Sequence, residues 1–96
     1  MKLSKAIIKG YSHPQIQGRQ NKRAYYAYAN KRVTDFFGSE VKSCCVIGAA
    51  AIGMQVSVFN VDESAVFERF GCFAADLNDG GMKWEDIVGI LQAEGL

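Results

Sequence analysis

The residue run that most constrains the fold lies in the middle of the chain, where residues 43–53 read SCCVIGAAAIG. Apolar residues recur in it at helical spacing and Ser43 is a suitable N-cap, so the pattern predicts a helix. Gly48, Ala49 and Gly53 leave another side of this helix with almost no side-chain volume. Neighbouring backbones can approach such a side closely, and we therefore expect the helix to lie at the centre of a small core.

Length and periodicity predict the rest of the fold. The 96 residues are enough for one domain and too few for two. Residues 3–9 predict a first helix ended by Gly10, and residues 62–77 predict a helix that Gly71 can kink. Residues 84–94 predict a final amphipathic helix. We therefore predict one compact domain over residues 1–96, of the α+β class and mostly helical, with about four helices.

Residues 23–37, RAYYAYANKRVTDFF, are ambiguous. Tyrosine, valine, threonine and phenylalanine favour strands, and residues 29–31 are suited to a turn. A helix through the same residues fits nearly as well. We favour a short β-hairpin here.

Charge is distributed unevenly along the chain. Residues 1–42 contain nine basic and two acidic side chains, a net charge of +7, whereas residues 43–96 contain two basic and eight acidic ones, a net charge of −6. Such halves either attract each other within one fold, which is the commoner case, or present a basic face to an acidic partner.

The three cysteines, Cys44, Cys45 and Cys72, are odd in number and do not indicate a disulfide framework. A thiol at the start of a helix can be reactive, but His13 is the sole histidine that could act as its base. Zinc binding lacks the usual C-x-x-C pair. We therefore predict no catalytic residue, no metal and no cofactor, and a packing role for the paired cysteines. A sulfur that lines an open cleft beside a carboxylate would contradict that role.

The segment best suited to recognition is KRAYYAYANKR, residues 22–32. Its cations and tyrosines suit a protein interface, and they suit phosphate contact with base stacking equally well. Alternatively, the tyrosines have no partner-binding role, and they pack on the protein with their hydroxyls exposed to water. The candidate partner-binding residues are Lys22, Arg23, Tyr25, Tyr26, Tyr28, Lys31 and Arg32.

Asn78 and Asp79 stand directly before two glycines. An aspartate in such a place can act as a base or bind a cation. An Asx-type turn that caps the final helix is the better interpretation, because asparagine, aspartate and glycine are favoured in turns.

Three segments in fixed order carry a resemblance: residues 3–18, LSKAIIKGYSHPQIQG, residues 43–53, and residues 76–91, DLNDGGMKWEDIVGIL. They resemble a group of small uncharacterised bacterial and phage proteins that have an L-S-x-A-I-x-x-G segment, a Cys-x-x-Gly-Ala helix and an Asn-Asp turn before a last helix. On this resemblance the motif places fall on Cys45, Gly48, Ala49, Asn78 and Asp79. Some members carry a C-x-x-C pair of which only Cys72 remains here, so no metal site carries over to this chain.

These observations lead us to expect a cytoplasmic, non-catalytic binding protein that modulates or inhibits a host macromolecule through residues 22–32. The expected partner is a host protein, and the phage setting comes from the resemblance alone. No apolar run is long enough for a signal peptide or a membrane span. The alternatives are a nucleic-acid-binding protein that uses the basic half, a small-ligand-binding protein or thiol-dependent enzyme that uses Cys44 or Cys45 with Asp79, and a self-associating structural protein.

Overall fold

The computed structural model describes residues 1–28 and 41–96, and these contain five α-helices and one two-stranded antiparallel sheet. The predicted class, α+β and mostly helical, is confirmed. In chain order the elements are α1 (Leu3–Tyr11), β1 (Tyr26–Tyr28), β2 (Val41–Cys44), α2 (Val46–Met54), α3 (Ser64–Phe70), α4 (Ala74–Asp79) and α5 (Trp84–Ala93), with a 3-10 turn at Val58–Asn60. No helix in these described ranges has both the length and the apolar character needed to cross a membrane.

Helices α1 and α2 cross with their backbones in contact. A Cβ added at Gly10 would overlap the carbonyl oxygen of Ala49 and lie 2.7 Å from its Cα. On the other side of the crossing, a Cβ at Gly53 would overlap the carbonyl oxygen of Ala6. The expected close approach to α2 is therefore present. Gly10 is not the cap that ends α1, because the helix runs through it to Tyr11 and uses the glycine to admit its neighbour.

The small sheet joins β1 to a strand whose last two residues, Ser43 and Cys44, the sequence pattern predicts as the start of the central helix. Tyr26 lies opposite Cys44, and Ala27 lies opposite Ser43. Ser43 is therefore a strand residue, and the N-cap of α2 is Cys45. The antiparallel pair is confirmed, but its second strand is residues 41–44 and not a segment directly after β1. The predicted turn at residues 29–31 lies outside the described residues.

The predicted helix over residues 62–77 is two helices in the structure. Gly71 has φ +73°, a left-handed conformation that ends α3 and favours glycine. The chain then begins α4, where the Asp76 carboxylate accepts a hydrogen bond of 2.9 Å from the Phe73 N–H. A local stop and a local start thus convert the expected kink into a break, which accounts for the fifth helix.

Helix α5 closes the core against α1. Ile87, Val88 and Leu91 are buried, as their spacing predicts. Tyr11 stacks on Trp84 with ring centroids 4.7 Å apart. The Tyr11 hydroxyl also donates a hydrogen bond of 2.8 Å to the carbonyl of Cys44, so one buried side chain connects α1, β2 and α5.

Candidate functional site

Asn78 is fully buried at the end of α4 and forms hydrogen bonds with two separate segments. Its Oδ1 accepts from the Val46 N–H, at the start of α2, at 3.1 Å, and from Gln20 Nε2 at 2.8 Å. Its Nδ2 donates to the Asn21 carbonyl at 2.9 Å. Asn78 therefore satisfies the first N–H of α2, whose N-cap residue is Cys45, whereas the sequence pattern predicts a cap on the final helix.

At the start of α5, Gln20 supplies the hydrogen bonds that an Asx turn at Asn78 and Asp79 was predicted to supply. Its Oε1 accepts from the Trp84 N–H at 2.7 Å, and its Nε2 also donates to the Met82 carbonyl at 2.9 Å. The first N–H of α5 is thus satisfied by a side chain from the opposite part of the sequence. No local pattern around Gln20 signals this role.

Asp79 holds the backbone of the segment that carries the predicted binding residues. Its Oδ1 accepts from the Arg23 N–H at 2.8 Å. Arg23 has φ +64°, a left-handed conformation that is uncommon outside glycine and that persists when neighbouring contacts impose it. Asn21 Nδ2 donates to the Ala24 carbonyl, and the Cys45 N–H donates to the Tyr25 carbonyl. Residues 21–25 are therefore fixed at several backbone positions.

Residues 22–25 of this fixed segment are exposed, and Tyr25 contacts a second aromatic ring. Lys22 and Arg23 are exposed, and Tyr25 is 45% exposed. Phe59, in the 3-10 turn, is 86% exposed and contacts Tyr25 edge-to-face, with ring centroids 6.3 Å apart at 77°. We call Lys22, Arg23, Tyr25 and Phe59 the front surface. Phe59 was not a sequence candidate, because only the fold brings it to Tyr25.

The other predicted binding residues are placed differently. Tyr26 is half-buried in β1 and packs against the core. Tyr28 ends β1, opposite Val41. Lys31 and Arg32 lie outside the described residues. Of the seven candidates, the structure therefore brings Arg23 and Tyr25 together at one pocket, and it leaves Lys22 exposed with its ammonium group near Gly81.

The Cys-x-x-Gly-Ala residues of α2 support this surface from below. The Cys45 sulfur accepts a hydrogen bond of 3.5 Å from the Gly48 N–H. A Cβ at Gly48 would overlap the carbonyl oxygen of Tyr25, so glycine lets the surface segment lie directly on the helix. Ala49 presents its carbonyl to Gly10. The small residues thus serve both the helix crossing and the seating of residue 25.

A pocket of about 340 Å³ opens beside the front surface, lined by Arg23, Ala24, Tyr25, Cys45 and Asp79. Cys44 is buried in the core, in keeping with its predicted packing role. Cys45 is also buried in that core, at 3% exposure, and it lines the pocket together with Asp79. The pocket combines a guanidinium, a phenol, a thiol and a carboxylate around one small volume.

The electrostatic environment keeps both adjacent thiols protonated at neutral pH. Burial raises the pKa of Cys44 to about 12. Burial also raises the pKa of Cys45, and the Asp79 and Glu63 carboxylates raise it further. Since the thiolate is the nucleophile, this site does not activate Cys45 for covalent chemistry.

Timed alkylation of the native protein with N-ethylmaleimide at pH 7.5 is expected to modify half-buried Cys72 first, Cys45 slowly and Cys44 last. The Cys45 rate should continue to rise with pH beyond the ordinary thiol range, because its pKa is raised. Peptide mapping by mass spectrometry gives the three rates, and urea-unfolded protein, in which they converge, is the control. A Cys45 that reacts faster than Cys72 at pH 7.5 would instead favour thiol catalysis.

Within residues 1–28 and 41–96, no group of three or more His, Cys, Asp or Glu side chains is arranged to hold a metal ion. Comparison with protein-family models, curated proteins and solved structures finds no match to this chain. The resemblance described above therefore stays a prediction, and function has to be inferred from the geometry of the front surface and its pocket.

Proposed function

We propose that this chain is a non-catalytic binding protein whose front surface docks on an acidic surface of a protein partner. The observation that carries the proposal is the exposed Tyr25–Phe59 pair, with exposed Arg23 lining the same pocket as Tyr25. Aromatic residues and arginine are enriched among the residues that dominate binding energy at protein interfaces.

The backbone under this surface favours binding because it is already ordered. Asp79 and Asn21 fix the segment through the Arg23 N–H and the Ala24 carbonyl. A partner that docks here does not have to order that loop, and ordering a loop is one of the main free-energy costs of association. The adjoining pocket can accept one apolar side chain of the partner, against which Tyr25 would pack.

The geometry of the aromatic pair favours a protein partner over nucleic acid. The two rings meet edge-to-face, so they do not form the open stacking platform that single-stranded bases use. The raised pKa of Cys45 likewise favours binding over thiol catalysis. The resemblance adds the phage setting, in which the partner would be a host protein that this chain modulates or inhibits.

A photo-crosslinking amino acid at position 25 is expected to capture a partner in host cells, whereas the same group at exposed Gln92 on α5 should not. With the captured partner purified, Tyr25→Ala combined with Phe59→Ala should weaken binding by about 30-fold or more, because both anchors are lost. Lys5→Glu, an exposed charge reversal on α1, is the matched control and should bind like wild type. Equal capture at positions 25 and 92, or unchanged affinity of the double variant, would contradict the proposal.

The nucleic-acid alternative is tested in parallel with a single-stranded oligonucleotide. Binding at low ionic strength that weakens steeply as salt is added would support that alternative, because phosphate contacts release counterions. We expect no binding at 50 mM salt. That result would leave the protein-partner proposal as the one to pursue.

A further inference from the structure

A second exposed aromatic pair lies on the α3–α4 part of the molecule. Phe67 of α3 and Phe73, directly before α4, stack with ring centroids 4.7 Å apart at 29°. They are 47% and 41% exposed, so much of this stack faces solvent. A stacked pair of large apolar rings at the surface marks an interaction site more often than a lone exposed residue does.

Two carboxylates are held beside this stack. Asp76 accepts its hydrogen bond from the Phe73 N–H, and Glu63 Oε1 accepts one of 3.0 Å from the Ala75 N–H. The two carboxyl groups are also close enough for Asp76 to raise the pKa of Glu63, in addition to the larger effect of burial. We call Glu63, Phe67, Phe73 and Asp76 the acidic aromatic surface. Its chemistry suits a cation, which interacts favourably both with ring faces and with carboxylates.

Among residues 1–28 and 41–96, no ion pair joins the basic half to the acidic half. In the part of the chain that the structure describes, the one ion pair joins Arg69 to Glu94, and both residues belong to the acidic half. The cations of residues 1–28 make no ion pair with the acids of residues 43–96. Since the net charge is only +1, copies of the chain also repel each other little.

We propose that the acidic aromatic surface binds the front surface of a second copy of this chain. Lys22 and Arg23 of one copy would lie over the Phe67–Phe73 stack of the next, within reach of its carboxylates. The two surfaces are different, so the contact can be made reciprocally in a two-fold dimer, or head-to-tail in a closed ring or an open chain of copies. This contact would occlude the front surface and compete with the partner proposed above, but it does not depend on that partner.

The first test is sedimentation velocity of the full chain at increasing concentration, up to about 1 mM because exposed ion pairs contribute little affinity. Wild type is expected to self-associate, and more strongly at 20 mM than at 500 mM salt. Phe67→Ala and Arg23→Glu should each weaken association at least about tenfold. Lys9→Glu, an exposed reversal on α1, should associate like wild type. A monomeric wild type at 1 mM in low salt, or both test variants associating like wild type, overturns the proposal.

The second test identifies the paired surfaces directly. Equal amounts of ¹⁴N- and ¹⁵N-labelled protein are treated with a carbodiimide, which joins an amine to a carboxylate without a spacer. Mixed-isotope peptides that link Lys22 to the segment containing Glu63 or Asp76 are the expected product. Mixed-isotope links confined to other lysines overturn the proposal.

These tests separate the two inferences. Phe67→Ala, whose far-UV circular dichroism should match wild type, is expected to weaken self-association at least about tenfold and to keep binding to the captured partner. Failure to capture a partner with position 25 contradicts only the proposed function. Failure to self-associate contradicts only the second-copy contact.

Discussion

Replacing Gly10 with alanine is expected to destabilise the protein by at least about 3 kcal/mol, although alanine is the better helix former. The new Cβ would overlap the carbonyl oxygen of Ala49 and lie 2.7 Å from its Cα. Both are backbone atoms, which cannot rotate out of the way as a flexible side chain would. Helices α1 and α2 would have to separate, and the core between them would lose contacts. Gly53→Ala should have a comparable effect, because its Cβ meets the Ala6 backbone.

The matched control for both substitutions is Gly89→Ala on α5, where nothing lies within 4 Å of an added Cβ. That change should stabilise the protein by about 0.5–1 kcal/mol, through helix propensity alone. Urea unfolding followed by far-UV circular dichroism gives all three free energies. If Gly10→Ala were as stable as Gly89→Ala, the two helices would not cross in backbone contact.

Asn78→Ala is the second substitution with a large expected effect, a loss of about 3–5 kcal/mol. It removes the buried acceptor of the Val46 N–H and the donor to the Asn21 carbonyl, and it leaves Gln20 without one of its partners. Each buried polar group left without a hydrogen bond costs about 1–3 kcal/mol. A small cavity adds to that loss.

Exposed Asn60, in the 3-10 turn, supplies the control, and Asn60→Ala should change the free energy of unfolding by no more than about 0.5 kcal/mol. The same urea titrations measure both variants. Similar values for the two asparagines would show that Asn78 is not the polar centre of the fold. Where Asn78→Ala still folds, weaker binding of the captured partner is also expected, because Asn21 and the adjacent front-surface backbone lose their anchor.

The features that the sequence predicts correctly are those that depend on local periodicity. The buried positions of α5 recur at helical spacing, and the small side chains of residues 48–53 indicate close packing from the sequence alone. No local sequence pattern predicts the role of Gly10. Its role depends on the Ala49 carbonyl, which only the fold places against it. In the sequence alone, a glycine after an apolar helical run is typical of a helix end.

The candidate site was predictable only in part, for the same reason. Lys22, Arg23 and Tyr25 stand together in the sequence, and they stay together at the surface. Phe59 joins them across a long loop of chain, and Asp79 reaches back to the Arg23 backbone from the end of α4. Contacts between residues so distant in sequence produce no periodic pattern in the sequence. The acidic aromatic surface was likewise not predictable from the sequence. The pattern predicts a kink at Gly71, whereas a break there brings Phe73 onto Phe67.

The contact between Tyr11 and Trp84 gives this molecule a built-in optical reporter. The chain has a single tryptophan, and its indole stacks on the Tyr11 ring, whose hydroxyl is hydrogen-bonded to β2. Emission from that indole therefore changes when α5 leaves α1, even if both helices persist. Comparing fluorescence with circular dichroism in a stopped-flow instrument would separate the docking of preformed helices from their winding.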